Sequence, residues 1–103
     1  MAKLQLKAAP TFSAEVGIPL HGGGTSEVVL TFKHRTMEEM DAFIKDRATK
    51  SDVESFMDMV AGWDLEDPFT EESVKTLLQN YNGAALAAFK KYIDELVQAR
   101  LGN

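Results

Sequence analysis

The chain has no cysteine. Disulfides, thiolate metal sites and cysteine nucleophiles are therefore excluded, and a reducing compartment is compatible. No apolar run approaches the roughly 20 residues that span a bilayer. The start, MAKLQLKAAPTF, alternates apolar and polar residues and lacks the continuous apolar core of a signal peptide. The expected location is the cytoplasm, with no membrane partner. Basic residues are missing from one long stretch. Residues 52–72 hold eight acids (Asp52, Glu54, Asp58, Asp64, Glu66, Asp67, Glu71 and Glu72) and no Lys or Arg. The net charge of −5 therefore originates in the middle of the chain. Such a face repels phosphate, so nucleic acid is not an expected partner. It suits solvation, or a basic protein surface.

Catalytic patterns are absent too. There is no GxSxG, no GxGxxG and no GxxxxGK[ST]. The triple glycine Gly22–Gly24 is followed by a strand pattern, whereas a phosphate loop needs a helix there. It reads as a hairpin loop. The two histidines, His21 and His34, flank different parts of that hairpin and do not make a metal site. A calcium loop counted from Asp64 would need glycine at its sixth position, where Phe69 stands. A glycosidase-like carboxylate pair needs a cleft that a chain this short seldom shapes. No enzyme, cofactor or metal is expected.

What remains is the material of one small domain over residues 1–103. It is 45% hydrophobic, enough for a core, and 26% charged. Residues 1–35 read as β-rich. Phe12, Ala14, Val16 and Ile18 alternate with polar neighbours, and Pro19 ends the pattern. Glu27–His34 forms a second alternating run, with Val28, Leu30 and Phe32 on one side. Leu4 and Leu6 leave room for a short extra strand.

Residues 36–103 read as helical. Thr36–Glu39 and Ser51–Glu54 are capping boxes. The first opens a stripe of Met37, Met40, Phe43 and Ile44. The second opens Val53, Phe56, Met57 and Val60, with Gly62 as a stop. Thr70 starts a third helix, with Phe69 and Val74 as its hydrophobic staple and Val74, Leu77, Leu78 and Tyr81 facing inward. Asn82 is the expected cap of a last helix, with Tyr81 and Leu86 as its staple. Its apolar side is expected to carry Leu86, Phe89, Ile93, Leu96 and Val97. The sum is an α+β fold: an N-terminal antiparallel hairpin packed on about four α-helices.

The organising stretch is Val60–Tyr81. Trp63 is the only tryptophan. Just after a helix end it is expected to close the second helix as an anchor between helices. Of the methionines, Met37, Met40 and Met57 fall on apolar stripes. Met59 lies off its stripe and is expected to be exposed.

The whole chain resembles the tail assembly chaperones of long-tailed bacteriophages and prophages. The carriers are TFKHRT at residues 31–36 and VAGWDLEDPFTEESVKTLLQNYNGAALAAFKKYIDELVQARLGN at residues 60–103. The latter holds Trp-Asp, a short acidic loop, Pro-Phe-Thr, a Leu-Leu pair and Tyr92 in the last helix. It departs at Tyr81-Asn82-Gly83, where the pattern has proline after the tyrosine. The resemblance implies binding of the tape measure protein and recruitment of tail tube subunits. It also implies action in the host cytoplasm and absence from the finished virion. Ending at Asn103, the chain would be the form without a frameshifted extension. The implied docking surface is Met59, Trp63 and Phe69 with an acidic rim of Asp64, Glu66 and Asp67. Alternatives are a small tail connector protein, a generic adaptor, or a small hydrolase or nucleotide-binding protein. Self-association would start at an exposed hairpin edge or at an apolar patch beside Trp63.

Overall fold

The computed structural model describes residues 6–101, with side chains through 97. Seven elements follow in order: β1 (Thr11–Pro19), β2 (Thr25–Lys33), α1 (Met37–Arg47), α2 (Asp52–Met59), β3 (Val60–Trp63), α3 (Glu71–Asn80) and α4 (Ala84–Leu101). The fold is α+β, as the periodicity predicts. The hairpin is antiparallel, from Thr11↔Lys33 to Pro19↔Thr25. Its turn uses positive φ at Gly22, Gly23 and Gly24, conformations that glycine adopts without steric cost. Of the extra strand expected at the start, Leu4 lies outside the described residues, while Leu6 is in a bend and fully exposed.

The sheet has a third strand in a different place. β3 pairs antiparallel with β2, in the order β1-β2-β3. This corrects the expectation that Trp63 closes the second helix. The helix ends at Met59, where the Val60 N–H closes it on Phe56 C=O with Val60 already extended. Trp63 stands opposite Leu30 in the sheet, with a bulge beside Phe32.

Both capping boxes form. In the first, Glu39 N–H donates to Thr36 Oγ1 (3.2 Å) and Thr36 N–H to Glu39 Oε1 (2.9 Å). In the second, the Ser51 and Glu54 bonds are 2.9 and 3.1 Å. The backbone bond to Thr36 holds Glu39 below the usual carboxylate range, and Ser51 does the same for Glu54. Thr70 caps α3 through Ser73 N–H. Asn82 does not take the place expected of it. Helix α4 begins at Ala84, and Ala87 N–H bonds Gly83 C=O, so Gly83 is the capping position. A Cβ on Gly83 would lie 2.9 Å from the Pro19 ring, so only glycine lets α4 start against the hairpin. With the cap displaced, Leu86 is 58% exposed rather than inward.

One face of the sheet supplies the core, with Val16, Ile18, Val28, Leu30 and Phe32 all buried. The helices cover that face with Met40, Phe43, Phe56, Val74, Ala88 and Tyr92. Met37 and Ile44 fall outside the core, exposed on the far side of α1. Two cation–π contacts help to seat α1. Arg35 lies 4.5 Å from the Phe43 centroid and Arg47 lies 3.8 Å from that of Phe89.

Candidate functional site

β3 and the loop after it build one wall of a cleft. Asp64 continues the pairing with β2 beyond Trp63. Its N–H donates to Val29 C=O (3.1 Å), and its Oδ1 accepts the Val29 N–H (3.0 Å). The chain then turns back. Trp63 Nε1–H donates to Asp67 C=O at 2.8 Å, which closes Leu65–Pro68 into a tight loop. Phe69 meets the Trp63 ring edge-on at 5.1 Å and 89°. Trp63, Leu65 and Phe69 are half-buried against the core.

The opposite walls come from the hairpin end and from α3. Ile18, Leu20 and Val28 lie on the sheet side, Leu77 and Tyr81 on the helix side. The space between is about 640 Å³. His21 closes one end. Its ring stacks on Tyr81 at 5.8 Å, and its Nε2–H donates to Asn80 C=O at 3.1 Å. Asp67 and Glu72 line the cleft, and among the described residues no Lys or Arg does. The result is a trough lined about equally by apolar and polar side chains, Ser26, Ser73, Thr76 and Asn80 among the latter, with carboxylates in its wall. That composition suits an amphipathic segment with basic flanks.

The six residues singled out from sequence are only partly brought together. Trp63 and Asp67 line the cleft, and Phe69 braces Trp63. Glu66 is exposed in the same loop. Asp64 is exposed, but its carboxylate is committed to the β2 backbone. Met59 overturns its expectation of exposure. It is 2% exposed, because it is still helical and lies four residues after Ser55 and three after Phe56, on the buried face of α2. Sequence reasoning missed His21, Leu65, Leu77 and Tyr81 as cleft residues. Leu65 carried a signal, being an apolar residue inside an acidic loop. His21 carried none, since its partner lies 59 residues away.

Among the described residues, no group of three or more His, Asp or Glu side chains could hold a metal ion. No described helix is long and apolar enough to cross a membrane. No curated protein and no solved structure matches the chain significantly. A family model described as "Phage tail assembly chaperone" matches residues 1–103. The chain belongs to the phage tail assembly chaperone family.

Proposed function

We propose that this chaperone binds the tape measure protein, keeps it soluble, and helps to recruit tail tube subunits around it in the host cytoplasm. It would leave before the virion is complete. Family membership gives the setting. The observation that carries the reading is the cleft walled by Trp63, Leu65, Leu77 and Tyr81, with Asp67 and Glu72 in its lip. A long coiled protein exposes apolar stripes flanked by mixed charge until it is packed. The cleft would take the apolar side chains of about one helical turn. Asp67, Glu66 and Glu72 would steer a basic flank, while Trp63 and Phe69 hold the wall rigid.

The test is co-expression with a tape measure fragment. Glu66→Lys with Asp67→Lys reverses the rim and leaves the Asp64–Val29 bonds intact. The fragment should move from the soluble to the pelleted fraction while the chaperone's circular dichroism stays unchanged. Unchanged solubility would remove the rim from the mechanism. Leu65→Asp tests the apolar wall in the same assay. If the protein were recovered in purified virions, a connector role would replace the chaperone cycle.

A further inference from the structure

The cleft beside α3 has unlike ends. At the hairpin end Leu20, Leu77 and Tyr81 line it, with Leu20 38% exposed. His21 marks this end through its bond to Asn80 C=O, at the last residue of α3. At the other end Glu72 stands in the first turn of α3, and Asp67 in the loop that leads into it. Glu72 and Asn80 line the cleft from one helix, about 12 Å apart along its axis.

Most polar groups along this wall are already spent. Thr76 Oγ1–H donates to Glu72 C=O (3.0 Å) and Asn80 Nδ2–H to Thr76 C=O (2.8 Å), each closing back on its own helix. Ser73 Oγ accepts from Thr70 Oγ1–H (3.1 Å). The Trp63 indole N–H is committed to Asp67 C=O. Ser26 and Tyr81 keep free hydroxyls, but neutral groups do not select a charge. The two acids differ. Asp67 and Glu72 are exposed, and their carboxylates have no hydrogen-bond or ion-pair partner among the described residues. With no Lys or Arg in the described walls, the matching cation has to come from the occupant.

We propose, resting on the cleft as the tape measure site, that it holds a helical segment along α3 and reads two of its residues together. A bulky apolar side chain sits against Leu20, Leu77 and Tyr81, and a Lys or Arg sits beside Asp67 and Glu72. The distance along α3 is about two turns, so the two residues stand about seven apart on one face of the occupant. A spacing one turn shorter leaves the cation over Leu77. A spacing one turn longer carries it beyond Glu72. Asp67 and Glu72 are then specificity-determining residues, selecting which stretch of a long coiled partner is held. About seven residues is also the heptad period, so the selected stretch has a basic residue where the apolar stripe would continue.

Trp63 is the only tryptophan and lines the cleft, so its emission reads binding to the full chain. The probes are tryptophan-free Ala/Gln helical peptides with a Leu pair one turn apart. A single Lys follows the second Leu by three, seven or eleven residues. The seven-residue peptide should bind on the order of fivefold tighter than the other two. In Asp67→Lys with Glu72→Lys that preference should vanish. A peptide with Glu in place of Lys should then bind best, at the same spacing, which damage to the fold cannot produce. Equal affinity at all three spacings overturns the proposal, as does unchanged Trp63 emission with every peptide up to about 1 mM. A tape measure fragment kept soluble by the wild type would in that case leave the partner standing. A spacing preference with a fragment that still pellets keeps the two-residue pattern and removes the tape measure protein as its source.

Discussion

Tyr92 shows how one side chain can join distant parts of this chain. It is completely buried. Its hydroxyl donates to Lys33 C=O (2.7 Å) and accepts from Arg35 Nη1 (2.8 Å). Arg35 also donates to Asp58 C=O at 2.9 Å. The ring stacks near Phe32 at 5.2 Å and meets Phe43 edge-on at 5.5 Å. Tyr92→Phe keeps the ring and removes two part-buried hydrogen bonds, together worth about 1–3 kcal/mol, while Arg35 keeps its bond to Asp58 C=O. A fall in Tm of at least about 4 °C is expected, read by calorimetry. Burial pushes the Tyr92 hydroxyl above the usual tyrosine range, and Arg35 pulls it back in part. With the folded value raised, this stabilisation is complete below about pH 10 and is lost as pH rises through the folded value. The gap between wild type and Tyr92→Phe should therefore narrow in alkaline solution. A gap independent of pH would mean the hydroxyl is not the cause. Tyr92 was visible in the sequence only through the family pattern, off the apolar side expected of the last helix. Its partners were not, since Lys33 and Arg35 lie 59 and 57 residues away. Met59 was misjudged because the stripe was read as Val53, Phe56, Met57 and Val60, whereas the buried face of α2 is Ser55, Phe56 and Met59.

At the scale of elements, the parts with strong local chemistry were legible. Both capping boxes, the Thr70 cap and the alternation of β1 and β2 appear where the residues place them. β3 was not legible. Val60 continues the helical spacing of Val53, Phe56 and Met57, and four residues are too few to display a period of two. Its partner strand supplies the missing information. Gly62 separates the two readings. A helix-stopping glycine sits in the left-handed region and resists substitution. Here Gly62 pairs with Thr31, has no positive φ, and a Cβ on it would meet open space. Gly62→Thr should therefore stabilise the domain by about 0.5 kcal/mol, through a stiffer unfolded chain and a cross-strand threonine pair. Urea unfolding measures it, and destabilisation would contradict the strand.

Over the whole molecule, a hairpin followed by four helices was readable from the sequence, but the return to the sheet between α2 and α3 was not. The chain makes the hairpin, runs through α1 and α2, returns to the sheet as β3, and leaves again through α3 and α4. The last two helices clasp the hairpin at both ends. Near the turn, His21 holds Tyr81 and Asn80, and Pro19 sits against Gly83. At the far end, Lys33 and Arg35 hold Tyr92. A split into a β-rich residues 1–35 and a helical 36–103 therefore describes composition, not separable units. A two-stranded hairpin alone is barely stable, and this one keeps its apolar face only under the helices. Unfolding should be a single cooperative transition. Trp63 fluorescence reports β3 and its loop, while far-ultraviolet circular dichroism reports the helices. Their midpoints in urea should coincide. A chain ending at residue 83 loses Tyr92 and the cover of Phe12 and Phe32, and it should show no cooperative transition at all. Two separate midpoints in the full chain would instead mean that sheet and helices stand independently, and that the clasp at both ends contributes little.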